Sequence, residues 1–355
     1  MTPRDQPAVP SPPALGPALR VLLILATAVI ALAGLWFARD IVGPVALGAV
    51  IVIICHPLRH PLERAGWPRW LATTAVIAVA YIVLIFLVLL LVFAGIQFAR
   101  LVSDYAHDLA TTAENLVAWL SSLGLDTQVS NATATFLDAS TILSSVTSLG
   151  GTVIGVITAL FFVLAYVIFM AVDGARYARA EQEFGRGIHS TVQRFQRFNT
   201  GVRRYYIVNA SFGAVVAILD GLALWWLGIP APVVWAILAF VTNFIPNIGF
   251  VIGLIPPALL ALVVGGWPML LAVIAIYCVV NVVLQVLVQP KFVADAVNLS
   301  LTLSFFSVIF WAFIIGPLGA ILSIPLTLLV RALVLEGDPG ARWLRWLSGD
   351  ASIDD

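Results

Sequence analysis

Asp220 stands alone. It lies in the apolar run Ala217-Ile218-Leu219-Asp220-Gly221-Leu222, 16 residues after Arg204 and 8 before Gly228. At about 1.5 Å per residue it is about 12 Å inside the end of a helix. A carboxylate at membrane depth costs about 2.5 to 3.5 kcal/mol on insertion scales, so it must face a bundle interior, be paired, or be protonated. Two roles fit: a proton or cation carrier, or a carboxyl hydrogen-bonded to a neighbouring helix. Asn281, Gln285 and Gln289 recur at i, i+4 and i+8. One helix face therefore carries three amides, which could line a hydrated path or tie helices together. Asn243 and Asn247 flank Pro246 and could cap freed backbone groups or touch a solute.

The elements holding these residues are interrupted. Two apolar stretches, 233–264 and 299–335, are each too long for one simple crossing of a core about 30 Å thick. Each is broken by proline and glycine, at Pro246-Asn247-Ile248-Gly249 and at Gly316-Pro317-Leu318-Gly319. Broken helices leave backbone groups that hydrocarbon cannot satisfy, and they survive where they are buried or line a polar cavity. Ile248-Gly249 through Pro256 resembles Leu318-Gly319 through Pro325, so 205–264 and 268–333 read as candidate copies of one unit. Gly151-x-x-x-Gly155 and Gly249-x-x-x-Gly253 supply small faces for close helix packing.

The fold class is all-α, a polytopic helical membrane bundle. The chain is 61% hydrophobic and 10% charged, with 18 basic and 18 acidic residues. Such a composition excludes a soluble globular domain, and zero net charge gives no basic surface for nucleic acid. Apolar runs at 18–38, 41–56, 71–99, 151–172, 205–228, 233–264, 268–288 and 299–333 make about eight transmembrane segments. Residues 1–17 form a proline-rich disordered tail, 18–99 the first three segments, 100–150 an extracytoplasmic helical region and 151–173 the fourth segment. A basic amphipathic cytoplasmic region follows at 174–201, then a transmembrane core at 202–335 and a cytoplasmic tail at 336–355. The first apolar run continues through Trp36 and Phe37, longer than the h-region of a signal peptide, and reads as a retained helix.

Arginines orient the bundle. Arg59, Arg64 and Arg69 follow the second run, and seven arginines lie within 174–204. Residues 101–150 hold no Lys or Arg and five acids. The positive-inside rule places the acidic segment outside and both termini in the cytoplasm. Leu101, Tyr105, Leu109, Leu116 and Leu120 predict an amphipathic helix in that segment. Val192, Phe195 and Phe198 beside Arg194 and Arg197 predict a helix lying on an anionic leaflet, as do Trp343 and Trp346 beside Arg342 and Arg345.

Enzyme signatures are missing: the sequence has no P-loop, no G-x-S-x-G elbow and no H-E-x-x-H. His56 and His60 are four apart, but Pro57 intervenes and no acidic or thiol ligand is obvious beside them, so no metal site and no cofactor are expected. Cys55 and Cys278 read as small hydrophobes.

Several motifs together resemble one family. They are Leu227-Gly228-Ile229-Pro230, Asn243-Phe244-Ile245-Pro246-Asn247-Ile248-Gly249, Gln289-Pro290-Lys291-Phe292-Val293, and Gly316-Pro317-Leu318-Gly319 with Pro325, alongside Pro44 and His56-Pro57-Leu58. The sequence resembles the autoinducer-2 exporter family, also described as PerM-like permeases. It departs from the usual Pro-Tyr-Ile-Gly by having Asn247 in second place. The resemblance implies a bacterial inner-membrane transporter of a small polar solute with no ATPase of its own, and a homo-oligomer, pentameric in the family. Some members are described as sodium or lithium/proton antiporters, so a monovalent cation is the alternative cargo. A non-transporting scaffold acting through 101–150 is a third reading. The transport path is expected to run by Asp220, Asn243, Pro246, Asn247, Gly249, Asn281, Gln285, Gln289, Gly316, Pro317 and Gly319.

Overall fold

The computed structural model describes residues 16–122, 161, 163–169, 184–185, 188–289, 292, 299–336 and 342–349. The proline-rich tail, the Gly151–Gly155 pair and most of the expected fourth segment lie outside these. Among the described residues all regular structure is helical. Four helices are long and apolar enough to cross a membrane, and shorter apolar ones accompany them. Large side chains such as Ile82, Phe86 and Leu89 are about 60% exposed, at 66%, 59% and 62%. In water such a surface would collapse or aggregate; in hydrocarbon it is the ordinary outside of a bundle.

Helix α1 spans Pro17–Phe37 and bends at Ala38 into α2, Arg39–Cys55. Pro57 then tightens the chain into one turn of 3₁₀ helix before α3, Arg59–Arg64, where Arg59 pairs with Glu63 at 2.7 Å. Helix α4 runs from Arg69 to Asp104 and α5 from Ala106 to Ser122. The amphipathic helix expected from Leu101 therefore begins later: Leu101 and Val102 end α4, and the chain turns at Tyr105. Residues 163–169 are helical and pack Val163 and Val167 against Cys55, Val76, Ala80 and Leu84. Tyr81 there donates to the Leu164 carbonyl at 3.0 Å.

Helix α6 is one element from His189 to Trp226, about 57 Å long. The basic stripe of Arg194 and Arg197 is thus continuous with the apolar part of the same helix and not a separate element. Charge lowered the local hydropathy there without breaking the backbone. The helix ends in a Schellman motif: Ile229 N–H donates to Leu224 O at 2.9 Å and Gly228 N–H to Trp225 O at 3.1 Å, with Gly228 at φ +72°. Leu224 and Ile229 then meet in the core.

Both broken stretches fold back on themselves. Helix α7, Pro232–Thr242, runs antiparallel to α6. A β-carbon at Gly221 would sit 2.9 Å from Ala236 Cβ, and one at Gly213 only 2.7 Å from Asn243 Nδ2. The chain reverses through residues 243–248 with Asn247 at φ +62°, a left-handed position that Asn tolerates. Helix α8, Gly249–Asn281, then climbs beside α7. A β-carbon at Gly249 would collide with the Thr242 carbonyl, and one at Gly253 would press on Thr242 Oγ1 at 2.8 Å. Gly266, at φ +67° and ψ −163°, divides α8 where two spans were expected. At 11 residues α7 is about 16 Å long, half a bilayer core.

The second hairpin repeats this contact. Helix α9, Leu301–Ile315, stops at Gly316, whose φ +83° and ψ −158° only glycine adopts readily. Helices α10, Pro317–Ile321, and α11, Ser323–Val330, return along it. A β-carbon at Gly319 would collide with the Trp311 carbonyl, as Gly249 would with Thr242. Trp311 Nε1 donates to Thr327 Oγ1 at 3.0 Å across the pair. The glycine-on-carbonyl contact recurs in both hairpins. Chain termination differs: a π-helical turn at Arg331–Leu335 follows α11, and α12, Arg342–Leu347, leads to Ser348, whose carbonyl accepts from Ser300 N–H at 2.8 Å.

The hairpins point in opposite directions. Asn243 at the first tip meets Asn209, so that tip is directed towards the Arg203 end of α6. His56 at the end of α2 also lies near Arg203. Leu318, beside the second tip, touches Gly43 at the other end of α2. Tyr206 joins them: it stacks on Phe244, centroids 6.1 Å apart, and donates to the Ile321 carbonyl at 3.0 Å.

Candidate functional site

Asp220 is fully buried, and neither carboxylate oxygen has a hydrogen-bond partner. It lines a small cavity with Val216, Thr242, Asn243, Tyr277 and Asn281. Gln285, Gly253 and Phe250 complete the lower wall. Three of the sequence-predicted amides thus meet the predicted carboxyl in one place.

The amides that line the cavity belong to one connected network that extends to Asn209 and Gln289. Gln285 Nε2 donates to Asn243 Oδ1 at 2.8 Å and to Asn281 Oδ1 at 2.6 Å. Asn281 Nδ2 donates to Tyr277 O at 2.8 Å, and Asn243 Nδ2 to Asn209 O at 2.9 Å. Gln289 Nε2 donates to Asn209 Oδ1 at 2.6 Å. The stripe carrying Asn281, Gln285 and Gln289 passes from α8 into a π-helical segment, Val282–Val288. Such widened turns re-aim side chains and occur often at functional sites. Here the widening lets Gln285 reach the first hairpin tip while Gln289 reaches α6.

Half-buried Pro246 and exposed Asn247 form the end of that tip, and Gly249 lets α8 close on α7. Gly316, Pro317 and Gly319 lie outside the cavity, on the opposed hairpin, with Tyr206 as the link. Asn281 and Gln285 therefore face the first break and not the second. Above the cavity Leu224, Ile229, Trp235, Ala261 and Val273 close a dry core, with Phe98 edge-on to Trp235 at 5.8 Å.

Sequence reasoning passed over Asn209, Tyr277 and Tyr206. Asn209, Gly213, Val216 and Asp220 recur at i, i+4, i+7 and i+11, one face of α6, and Tyr277 extends the amide stripe one turn earlier. Those spacings were the available signal. Tyr206 offered none, because its role depends on two distant hairpins. No group of three His, Cys, Asp or Glu side chains gathers among the described residues.

Comparison with known proteins places this architecture. The sequence pattern of the AI-2E family transporter matches residues 25–337. The AI-2 transport protein TqsA of Escherichia coli (strain K12) is 28% identical over 333 residues, covering 94% of this chain and 96% of that relative. A putative transport protein of Haemophilus influenzae is 29% identical over 339 residues, covering 93% and 96%. Putative transport protein YhhT of E. coli (strain K12) is 27% identical over 312 residues, covering 87% and 88%. The family consists of transport proteins and not of enzymes, and this chain, a helical membrane bundle built round two hairpins, belongs to the AI-2E transporter family.

Proposed function

We propose that the protein exports a small polar solute across the bacterial inner membrane, driven by the proton gradient, with both termini in the cytoplasm. The observation that carries this reading is the connected amide network at the tip of the first hairpin. Five buried or half-buried amides there offer donors and acceptors to a solute rich in hydroxyl or carbonyl groups. Asp220, which lines one cavity with Asn243, Asn281 and Gln285 and has no partner, is the group that exchanges a proton. The name of the relative TqsA supports autoinducer-2 as the solute. Membrane lipids and further copies of the chain, a pentamer by family resemblance, are its partners. Exchange of sodium or lithium for protons is a second reading, favoured by that unpaired carboxyl. Purified protein in proteoliposomes, given autoinducer-2, sodium or lithium under an imposed proton gradient and read with a pH-sensitive dye, tests both. Gradient-dependent autoinducer flux supports export, and cation-dependent proton movement alone supports exchange.

A further inference from the structure

A second charged group lies away from the amides, at the Arg203 end of the bundle. The 3₁₀ turn at His56–Leu58 sets the rings of His56 and His60 edge to face, 5.9 Å apart. Val202 and Tyr205 of α6 share one core with Val50, Ile53 and Ile54 of α2, which holds Arg203 beside this turn. The charged and titratable groups acting on His56 are Arg59, His60, Arg203 and one acid, Glu63. That acid accepts from Arg59 Nε at 2.7 Å. Arg203 is half-buried and pairs with no carboxylate among the described residues. Two guanidiniums and two imidazoles against one carboxylate leave an excess of positive charge in a partly desolvated corner. Like charges gathered there disfavour one another unless an anion sits among them.

We infer that the corner between the end of α2 and α6 is a binding site for one anionic phosphate group, carried by a phospholipid headgroup or by free phosphate, with Arg203 and His56 as its main contacts. The guanidinium fork matches a phosphate bidentately, and an imidazole adds one N–H donor. Trp67 and Trp70, 43% and 70% exposed, follow α3 closely, and such aromatic belts mark headgroup depth. Basic pockets between membrane helices at that depth are known to hold phosphate headgroups. Arg203 precedes Tyr206 by one helical turn, and the Tyr206 ring stacks on Phe244 at the first hairpin tip. A bound phosphate therefore lies next to the contact that seats that tip. The inference rests on neither reading of the transported solute.

The test uses the purified full chain in a neutral detergent and two probes. Phosphatidylglycerol is compared with phosphatidylcholine by native mass spectrometry, and radioactive inorganic phosphate is followed by equilibrium dialysis. The expected result is saturable binding of one phosphate group per chain in at least one arm. Preference for phosphatidylglycerol names the lipid as the source, and binding of inorganic phosphate alone names free phosphate. Arg203→Gln weakens binding about tenfold or more through loss of a charge-assisted contact. Arg203→Lys keeps the charge but not the fork and loses less. Arg100→Gln, exposed near the far end of α4, leaves binding unchanged. A folded wild-type protein that binds neither inorganic phosphate nor phosphatidylglycerol above phosphatidylcholine overturns the inference, whatever the variants do. Binding at full strength in Arg203→Gln also overturns it.

Discussion

Gln285→Ala removes two contacts at once. The side-chain amide donates to Asn243 Oδ1 at 2.8 Å and to Asn281 Oδ1 at 2.6 Å, and both acceptors belong to buried residues. Hydrogen bonds between membrane helices average about 0.6 kcal/mol, with about 1.7 as the largest measured. Two of them give about 1.2 kcal/mol, close to tenfold in the folding equilibrium, with a ceiling near 3.4. The first hairpin tip is then held by Asn243 Nδ2 to Asn209 O alone among these contacts. Reversible unfolding in mixed micelles, followed by circular dichroism, should show a loss between these bounds. Solute flux should fall further than that loss accounts for, because the removed amide also belongs to the network proposed to bind solute. Gln285→Glu keeps the shape but loses the donor, and should reproduce the loss of stability. Unchanged stability in both variants would refute the network, and unchanged flux in a weakened protein would assign it to structure alone.

Other substitutions divide by what the backbone meets. Gly249→Ala and Gly319→Ala drive a β-carbon into the Thr242 and Trp311 carbonyls and should each cost about 1 to 3 kcal/mol, read as lowered thermal stability in detergent. Gly95→Ala in α4, with open space around it, should be neutral or stabilising by up to about 1 kcal/mol in the same assay. Tyr206→Ala removes the ring on Phe244 and the bond to Ile321 and should slow transport more than Tyr206→Phe, which keeps the stacking. In a background lacking Cys55 and Cys278, His107→Cys should react with an impermeant thiol reagent from outside intact cells and Ser190→Cys should not; the reverse pattern would invert the orientation. Asp220→Asn should abolish gradient-driven flux in the folded protein, whereas normal flux would make Asp220 structural.

Local chemistry was legible in the sequence, and long-range direction was not. Pro246, Gly249, Gly316 and Pro317 marked both interruptions because proline and glycine act on the backbone where they stand. The lone charge of Asp220 marked a buried position, and the i, i+4 amides marked a face. Whether a broken helix continues or folds back depends on what it packs against. The reversal at Asn247 is fixed by Gly249 against Thr242, and Gly213 makes room for Asn243 against α6, contacts no local pattern displays. The extent of α6 was hidden for the opposite reason: seven arginines in 174–204 read as a surface segment, although arginine is a good helix former. Tyr277 was passed over because a lone tyrosine in an apolar run carries no local signal; only the fold sets it beside Asp220.

Solute is proposed to pass the amide network at the first hairpin tip and to go on to the opposed hairpin, which those amides do not face. Cysteine at Asn247, exposed at that tip, and at Leu318, beside Gly316, places a reporter on each hairpin in the background lacking native cysteines. Small hydrophilic thiol reagents should modify both positions in transport-active protein, and solute should slow the reaction at both. Two unreactive cysteines in a folded, transporting protein would contradict the account and move the path elsewhere in the bundle.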